Sequence, residues 1–262
     1  MANPVLSDRA FEQSRVGWAA PSPAARLDGR IYAPTRTDAM TSSGTWLATG
    51  ALFAILLVTA VSGWMAVPEP VADQITFPGW LFVPLLAALG FVIAGTVRPR
   101  WSPFMGPLYA ACEGLVVGAI SHVYNLQYDG IVVMAVGATG AVFVSMLFMY
   151  STRIIKVTDR MRRTIVAATM GVVLLYFVSF LFSLFGNTPA FINSSGAFGI
   201  LLSLVIVGIA AFNLVLQFDF IERGVASGAP KYMEWYAAMG LIVTLVWLYL
   251  EMLRLFAKLN RR

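Results

Sequence analysis

Seven apolar runs, each about 20 residues long, dominate this sequence and leave it few ways to fold. They fall at residues 46–67, 80–97, 104–123, 131–150, 163–185, 197–218 and 233–257. At 1.5 Å per residue, a helix of that length crosses a hydrocarbon core of roughly 30 Å. Lipid offers no hydrogen-bonding partner to the backbone, so a spanning segment must satisfy its own amide groups, and a helix does so within one segment. Hydrophobic residues make up 59% of the chain and charged residues 12%, the latter about half the share of a soluble domain. Too little polar surface remains to coat a water-soluble globule. The expected fold is therefore all-α and integral to a membrane, with seven transmembrane helices.

Residues 1–45 precede the first run and are polar, which argues against a cleavable signal peptide. This segment is expected to be a disordered cytoplasmic tail, and 46–262 a single seven-helix membrane domain. Arg9, Arg15, Arg26, Arg30 and Arg36 are interleaved with Asp8, Glu12, Asp28 and Asp38, so the tail has no basic block of the kind that binds nucleic acid. Cys112 is the one cysteine, and no internal disulfide can form.

Turn residues such as Pro68-Glu69-Pro70 and Gly186-Asn187-Thr188-Pro189 separate the runs, and Trp64, Trp80 and Trp101 lie near their ends, at headgroup depth. Positive charge sets the orientation. Arg98, Arg100, Arg153, Lys156, Arg160, Arg162, Arg163, Arg223 and Lys231 share one side with the tail, whereas the loops 68–79, 125–130 and 186–196 contain no Lys or Arg. The basic side, and with it the N-terminus, is expected to be cytoplasmic. Arg254, Lys258, Arg261 and Arg262 oppose this pattern, because an odd number of spans carries them across. Either the charge rule fails at the last helix, or that helix does not fully cross and the bundle has six spans plus a re-entrant segment. No internal repeat of the transporter kind is visible.

An ionisable group at the centre of a membrane helix costs about 2.5–3.5 kcal/mol, so each one needs a reason. Glu113 and His122 lie in the third run, Asp219 at the end of the sixth, and Glu234, Glu251 and Arg254 in the seventh. Glu113 reads either as a carboxylate lining an ion or proton path or as one satisfied between helices. Gly106, Ala110, Gly114 and Gly118 recur every four residues beside it and mark a face where a neighbouring backbone packs closely. Asp219 has Arg223 four residues on, and Glu251 has Arg254 three residues on, so both could be simple intrahelical pairs. Glu234 follows Pro230 into the first turn of its helix, where a negative charge favours the dipole. His122, the one histidine, reads as an interface residue. One His and one Cys cannot build a transition-metal site, and neither a nucleophile elbow nor a phosphate loop is present. No enzymatic activity, cofactor or metal centre is expected.

Two stretches carry a resemblance. The first comprises Phe218-Asp219-Phe220-Ile221-Glu222-Arg223-Gly224, then Pro230-Lys231-Tyr232-Met233-Glu234-Trp235-Tyr236-Ala237-Ala238 and Leu248-Tyr249-Leu250-Glu251-Met252-Leu253-Arg254-Leu255. It resembles the C-terminal signature of bacterial proteins in the transmembrane Bax inhibitor motif family. Tyr109-Ala110-Ala111-Cys112-Glu113-Gly114 resembles that family's Tyr-x-x-x-Glu-Gly segment. The resemblance implies six helices surrounding a central seventh, a cytoplasmic N-terminus, an external C-terminus and a bacterial inner membrane. It also implies a pH-sensitive calcium leak, gated by two aspartates on the sixth and seventh helices that share a proton and are latched by an arginine. Asp219 matches the first aspartate. Aligning on Leu253-Arg254 keeps the distance to the helix end and puts the second at Thr244, which breaks the pair; aligning on Leu248-Tyr249-Leu250 puts it at Glu251. A displaced pair of Asp219 and Glu251 is the alternative, with Glu113 and Arg254 as further buried polar groups.

Calcium takes six to eight oxygens, so three carboxylates would bind Ca²⁺ or another cation only weakly, as a leak requires. Relatives are also described as partners of a membrane protease or a stress response, and this is the second functional expectation. A central seventh helix would let a monomer suffice.

Overall fold

The computed structural model describes residues 39–68, 79–185 and 196–261. The tail 1–38, expected to be disordered, and the connecting segments 69–78 and 186–195, with most of the turn residues named above, lie outside the described residues. Seven long helices account for nearly everything else: α1 (Ser42–Met65), α2 (Phe82–Val97), α3 (Ser102–Gln127), α4 (Ile131–Ser151), α5 (Asp159–Leu184), α6 (Ala197–Ala226) and α7 (Met233–Asn260). Short 3₁₀ turns, Gly79–Leu81 and Pro99–Trp101, lead into α2 and α3. All seven helices are long and apolar enough to cross a membrane. The chain is a multi-pass membrane protein, and the described residues contain no strand.

Local chemistry explains the boundaries. Thr41 caps α1, its hydroxyl accepting from the Gly44 amide at 3.0 Å, so the helix starts four residues before the expected Trp46. Thr158 does the same for α5 through the Met161 amide. Helix α6 continues past Phe218 to Ala226, about 12 Å further than its apolar run. It stops where Gly228 adopts φ 63° just before Pro230, a conformation that glycine enters without a Cβ penalty.

The N-terminal end of α1 is clasped to the turn between α6 and α7. The Met40 amide donates to the Ala229 carbonyl at 2.6 Å, and the amide and hydroxyl of Thr41 both donate to Glu234 Oε1, at 2.9 and 2.8 Å. Glu234 does lie in the first turn of α7, but it is buried and also ties two helix starts together.

Burial ranks the helices. In its most apolar 18-residue stretch, α7 is 78% buried, against 50% for α3 and α6 and 11% for α5. Helix α7 therefore occupies the centre, with Tyr236, Leu241, Leu248 and Leu253 fully enclosed. It is one unbroken helix of 28 residues, about 42 Å long, which is enough to cross completely and leaves no re-entrant break in it. Three of its contrary cations are engaged by the protein, and Arg262 lies outside the described residues. Arg254 pairs with Glu251 at 2.9 Å, Lys258 donates to the Gly199 carbonyl at 3.0 Å and Ser203 Oγ at 2.8 Å, and Arg261 donates to the Tyr128 hydroxyl at 2.9 Å.

Helices α1 and α3 approach closest, through glycine. A Cβ on Gly118 would overlap the Ala60 carbonyl, one on Gly114 the Leu56 carbonyl and Thr59 hydroxyl, and one on Gly63 the Leu115 carbonyl. Gly106 is different, since a Cβ there would rest 3.5 Å from the Leu52 methyls, an ordinary contact. His122 stacks on Trp64 at 4.8 Å and bonds the Trp64 carbonyl through Nδ1 at 2.9 Å, an interface role. Helix α5 buries only Ile165 and Val172 among its apolar side chains. Since lipid is as apolar as leucine, that seam gains little from burial and must be held by packing and polar contacts.

Candidate functional site

The polar groups inside the bundle converge mainly on α5. Arg162, Thr169 and Tyr176 are spaced seven residues apart and so share one face of that helix. Arg162 donates to Asp219 Oδ2 on α6 at 2.9 Å. Thr169 accepts from the Asn213 amide at 2.8 Å. The Tyr176 hydroxyl donates to Glu251 Oε1 on α7 at 2.7 Å and also accepts from Arg254, whose guanidinium lies 4.7 Å above its ring. Three rungs result, at intervals of about 10 Å along α5.

The first rung is a charge clamp. Asp219 Oδ2 also receives Arg223 at 3.0 Å, so the expected i,i+4 pair exists, and a second arginine from another helix joins it. The Asp219 side chain is 15% exposed, so the clamp lies at the edge of the bundle. Nearby, the Tyr150 hydroxyl donates to the Glu222 carboxylate, which Arg153 approaches at 3.8 Å.

The third rung is deeper. Glu251 is 1% exposed, and its Oε1 collects Tyr176, Arg254 and the Trp247 indole at 3.3 Å. The expected Glu251 and Arg254 pair is present, but α5 and Trp247 share in holding it.

Asp219 and Glu251 are not paired with each other, which corrects the displaced-pair expectation. Their partners Arg162 and Tyr176 are 14 residues apart on α5, about 21 Å along its axis. Thr244 belongs to neither cluster: its hydroxyl accepts from Gln217 Nε2 at 3.0 Å and donates to the Gly240 carbonyl at 3.0 Å. Gln217 and Asp219 are two residues apart and point to nearly opposite sides of α6, one toward α7 and the other toward α5. Gln217 Oε1 is buried with no hydrogen-bond partner among the described residues. Glu113, beside the glycine face of α3, likewise makes no hydrogen bond or ion pair among the described residues. No three His, Cys, Asp or Glu residues among those described converge closely enough to hold a metal ion.

Sequence reasoning missed Arg162, Thr169 and Tyr176 as site residues. Their heptad spacing on a helix otherwise facing lipid was the available signal. It was obscured because Arg162 reads as one more charge in a basic loop.

The profile of the family described as Bax inhibitor 1 like matches residues 3–261. The chain belongs to that family. No curated protein gives a significant match, and neither does any solved structure. The Bax inhibitor 1 like assignment spans all seven helices, so Asp219, Glu251 and Thr244 lie inside the matched region.

Proposed function

We propose that this Bax inhibitor 1 like protein is a pH-modulated leak channel for Ca²⁺ or a similar cation. In this reading its basic end faces the cytoplasm of a bacterial cell, the bilayer is the inner membrane, and a monomer suffices without enzymatic chemistry. The observation that carries the reading is the Asp219 clamp, in which one carboxylate joins α5 to α6 through Arg162. Neutralising Asp219, as Asp219→Asn does, removes the negative partner of two arginines at once and takes away the charged attachment of α5 to α6. Glu251 and Glu113 supply further carboxylates at other depths. None of them is part of a close cation cage, and weak sites suit an ion that must leave as readily as it enters.

Ca²⁺ flux into proteoliposomes between pH 5 and 8 tests this, comparing the natural chain with Asp219→Asn. The reading expects flux that rises as pH falls, and flux in the variant that is high at every pH. Absence of flux above empty liposomes across the range rejects conduction.

A second reading, a membrane partner that modulates a protease or stress response without conducting, is favoured by Arg160 and Arg163. Both are exposed beside an open depression that Asp159, Thr164, Ala167 and Ala168 also line, a surface suited to an acidic partner.

A further inference from the structure

The basic residues at the start of α5 and in the turn before it do not share one task. Arg162 faces α6 and is taken by Asp219 at 2.9 Å, and Arg153 approaches Glu222 at 3.8 Å. Lys156, Arg160 and Arg163 are exposed and make no ion pair among the described residues. Arg160 and Arg163 are three residues apart, so they are neighbours on a face of α5 turned away from Arg162. Asp159 is the one acidic residue beside them. Two guanidiniums against one carboxylate leave that face positive.

The open depression that both arginines line continues along the same helix face through Thr164 to Ala167 and Ala168, so it changes from cationic to apolar within about 10 Å. One turn further on, the missing side chain of Gly171 leaves open space, and Leu174 beyond it is 61% exposed to the surrounding lipid. The Thr164 hydroxyl is spent on the Arg160 carbonyl at 3.0 Å, which leaves the two guanidiniums as the donors, and their planar forks match the oxygens of a phosphate. An occupant that satisfies the whole depression must therefore carry an anion at one end and a hydrocarbon body at the other. An acidic protein segment would meet the arginines but leave the alanine floor bare, and so would a free phosphate.

We infer that this depression is a binding site for an anionic phospholipid, with the phosphate held between Arg160 and Arg163 and an acyl chain laid along Ala167, Ala168 and Gly171. The site stands whether or not the chain conducts, and it gives to a lipid the surface that the second reading offers to an acidic partner. Clustered Lys and Arg at the end of a membrane helix attract anionic headgroups in general; here the apolar floor adds a place for the rest of the molecule. Arg162 lies between the two arginines in sequence, so a lipid bound there sits one residue from the Asp219 clamp.

The test uses the full chain in detergent micelles and native mass spectrometry, which counts bound lipids, with phosphatidylglycerol and phosphatidylcholine of identical acyl chains as probes. The natural chain should hold phosphatidylglycerol about tenfold more tightly than phosphatidylcholine. Arg160→Gln with Arg163→Gln should bring the two lipids level. Arg100→Gln with Lys231→Gln removes the same charge from other exposed positions on the basic side and should leave the preference intact. Ala167→Phe, at an exposed position, keeps both arginines but fills the floor, and should lower phosphatidylglycerol retention by a similar factor. Neither glycerol phosphate nor a glutamate peptide should displace the bound lipid. Equal losses in the two double variants would reduce the preference to overall charge and overturn the site. Full retention in Ala167→Phe, or displacement by glycerol phosphate, would overturn it in favour of a bare phosphate site, and displacement by the peptide would return the surface to a protein partner.

Discussion

Two helix contacts in this molecule are built on opposite principles. Between α1 and α3 the backbones nearly touch, because Gly63, Gly114 and Gly118 remove the side chains that would keep them apart. Dispersion over a long, close surface holds most of this contact, with the His122–Trp64 hydrogen bond and stack near one end. Between α5 and α6 there is little apolar contact and a ladder of hydrogen bonds. The first contact has one geometry and resists any displacement. The second is discrete: each rung is either made or exchanged for water. In a solvent with no hydrophobic drive between helices, this difference sets a contact held by close packing against one held by hydrogen bonds.

Four substitutions probe that contrast. Gly118→Val forces a branched side chain into the Ala60 carbonyl and should cost about 3 kcal/mol, read as a lowered unfolding midpoint in detergent. A loss as small as a rung's would show that α1 and α3 can separate as well. Arg162→Ala leaves Asp219 with Arg223 alone and should cost about 1 kcal/mol in the same assay, because the pair is partly exposed. Asn213→Leu removes one interhelical hydrogen bond and should cost about 0.6 kcal/mol. A cost near that of Gly118→Val would make α5 a structural helix and defeat the comparison. Gly106→Ala should be almost silent, about 0.3 kcal/mol either way, since its Cβ finds only the Leu52 methyls at 3.5 Å. A large effect there would extend the close-packed face by two turns.

Much of the architecture was legible because membrane helices announce themselves by length and composition. All seven spans were identified, and α4 and α7 began at the expected residues, Ile131 and Met233. Helix α6 was read short because Asp219, Glu222 and Arg223 interrupt its apolar run, and periodicity cannot show that Asp219 and Arg223 find partners there. The glycine face was legible at Gly114 and Gly118 but not at Gly106, since a four-residue repeat says which residues share a face and not where the neighbouring helix passes. The site was less legible still. Asp219, Glu251 and Arg254 stood out as charges in apolar surroundings, and their nearest intrahelical pairs follow from spacing alone. The partners that matter most come from α5, and a contact between helices 57 or 75 residues apart in sequence leaves no local trace.

The clasp at the start of α1 has a consequence for biosynthesis. Thr41 is bonded to Glu234, 193 residues later. At roughly 5–20 residues per second, about 10–40 s of translation separate the first half of that joint from the second. During that time the opening helix sits in the bilayer with its starting turn lacking the Glu234 carboxylate. Its close contact with α3 can form meanwhile, so α1 and α3 make a natural early subunit, to be closed over when the last helix arrives. The joint thus reports that synthesis of the last helix has begun, and a chain truncated before α7 would lack it.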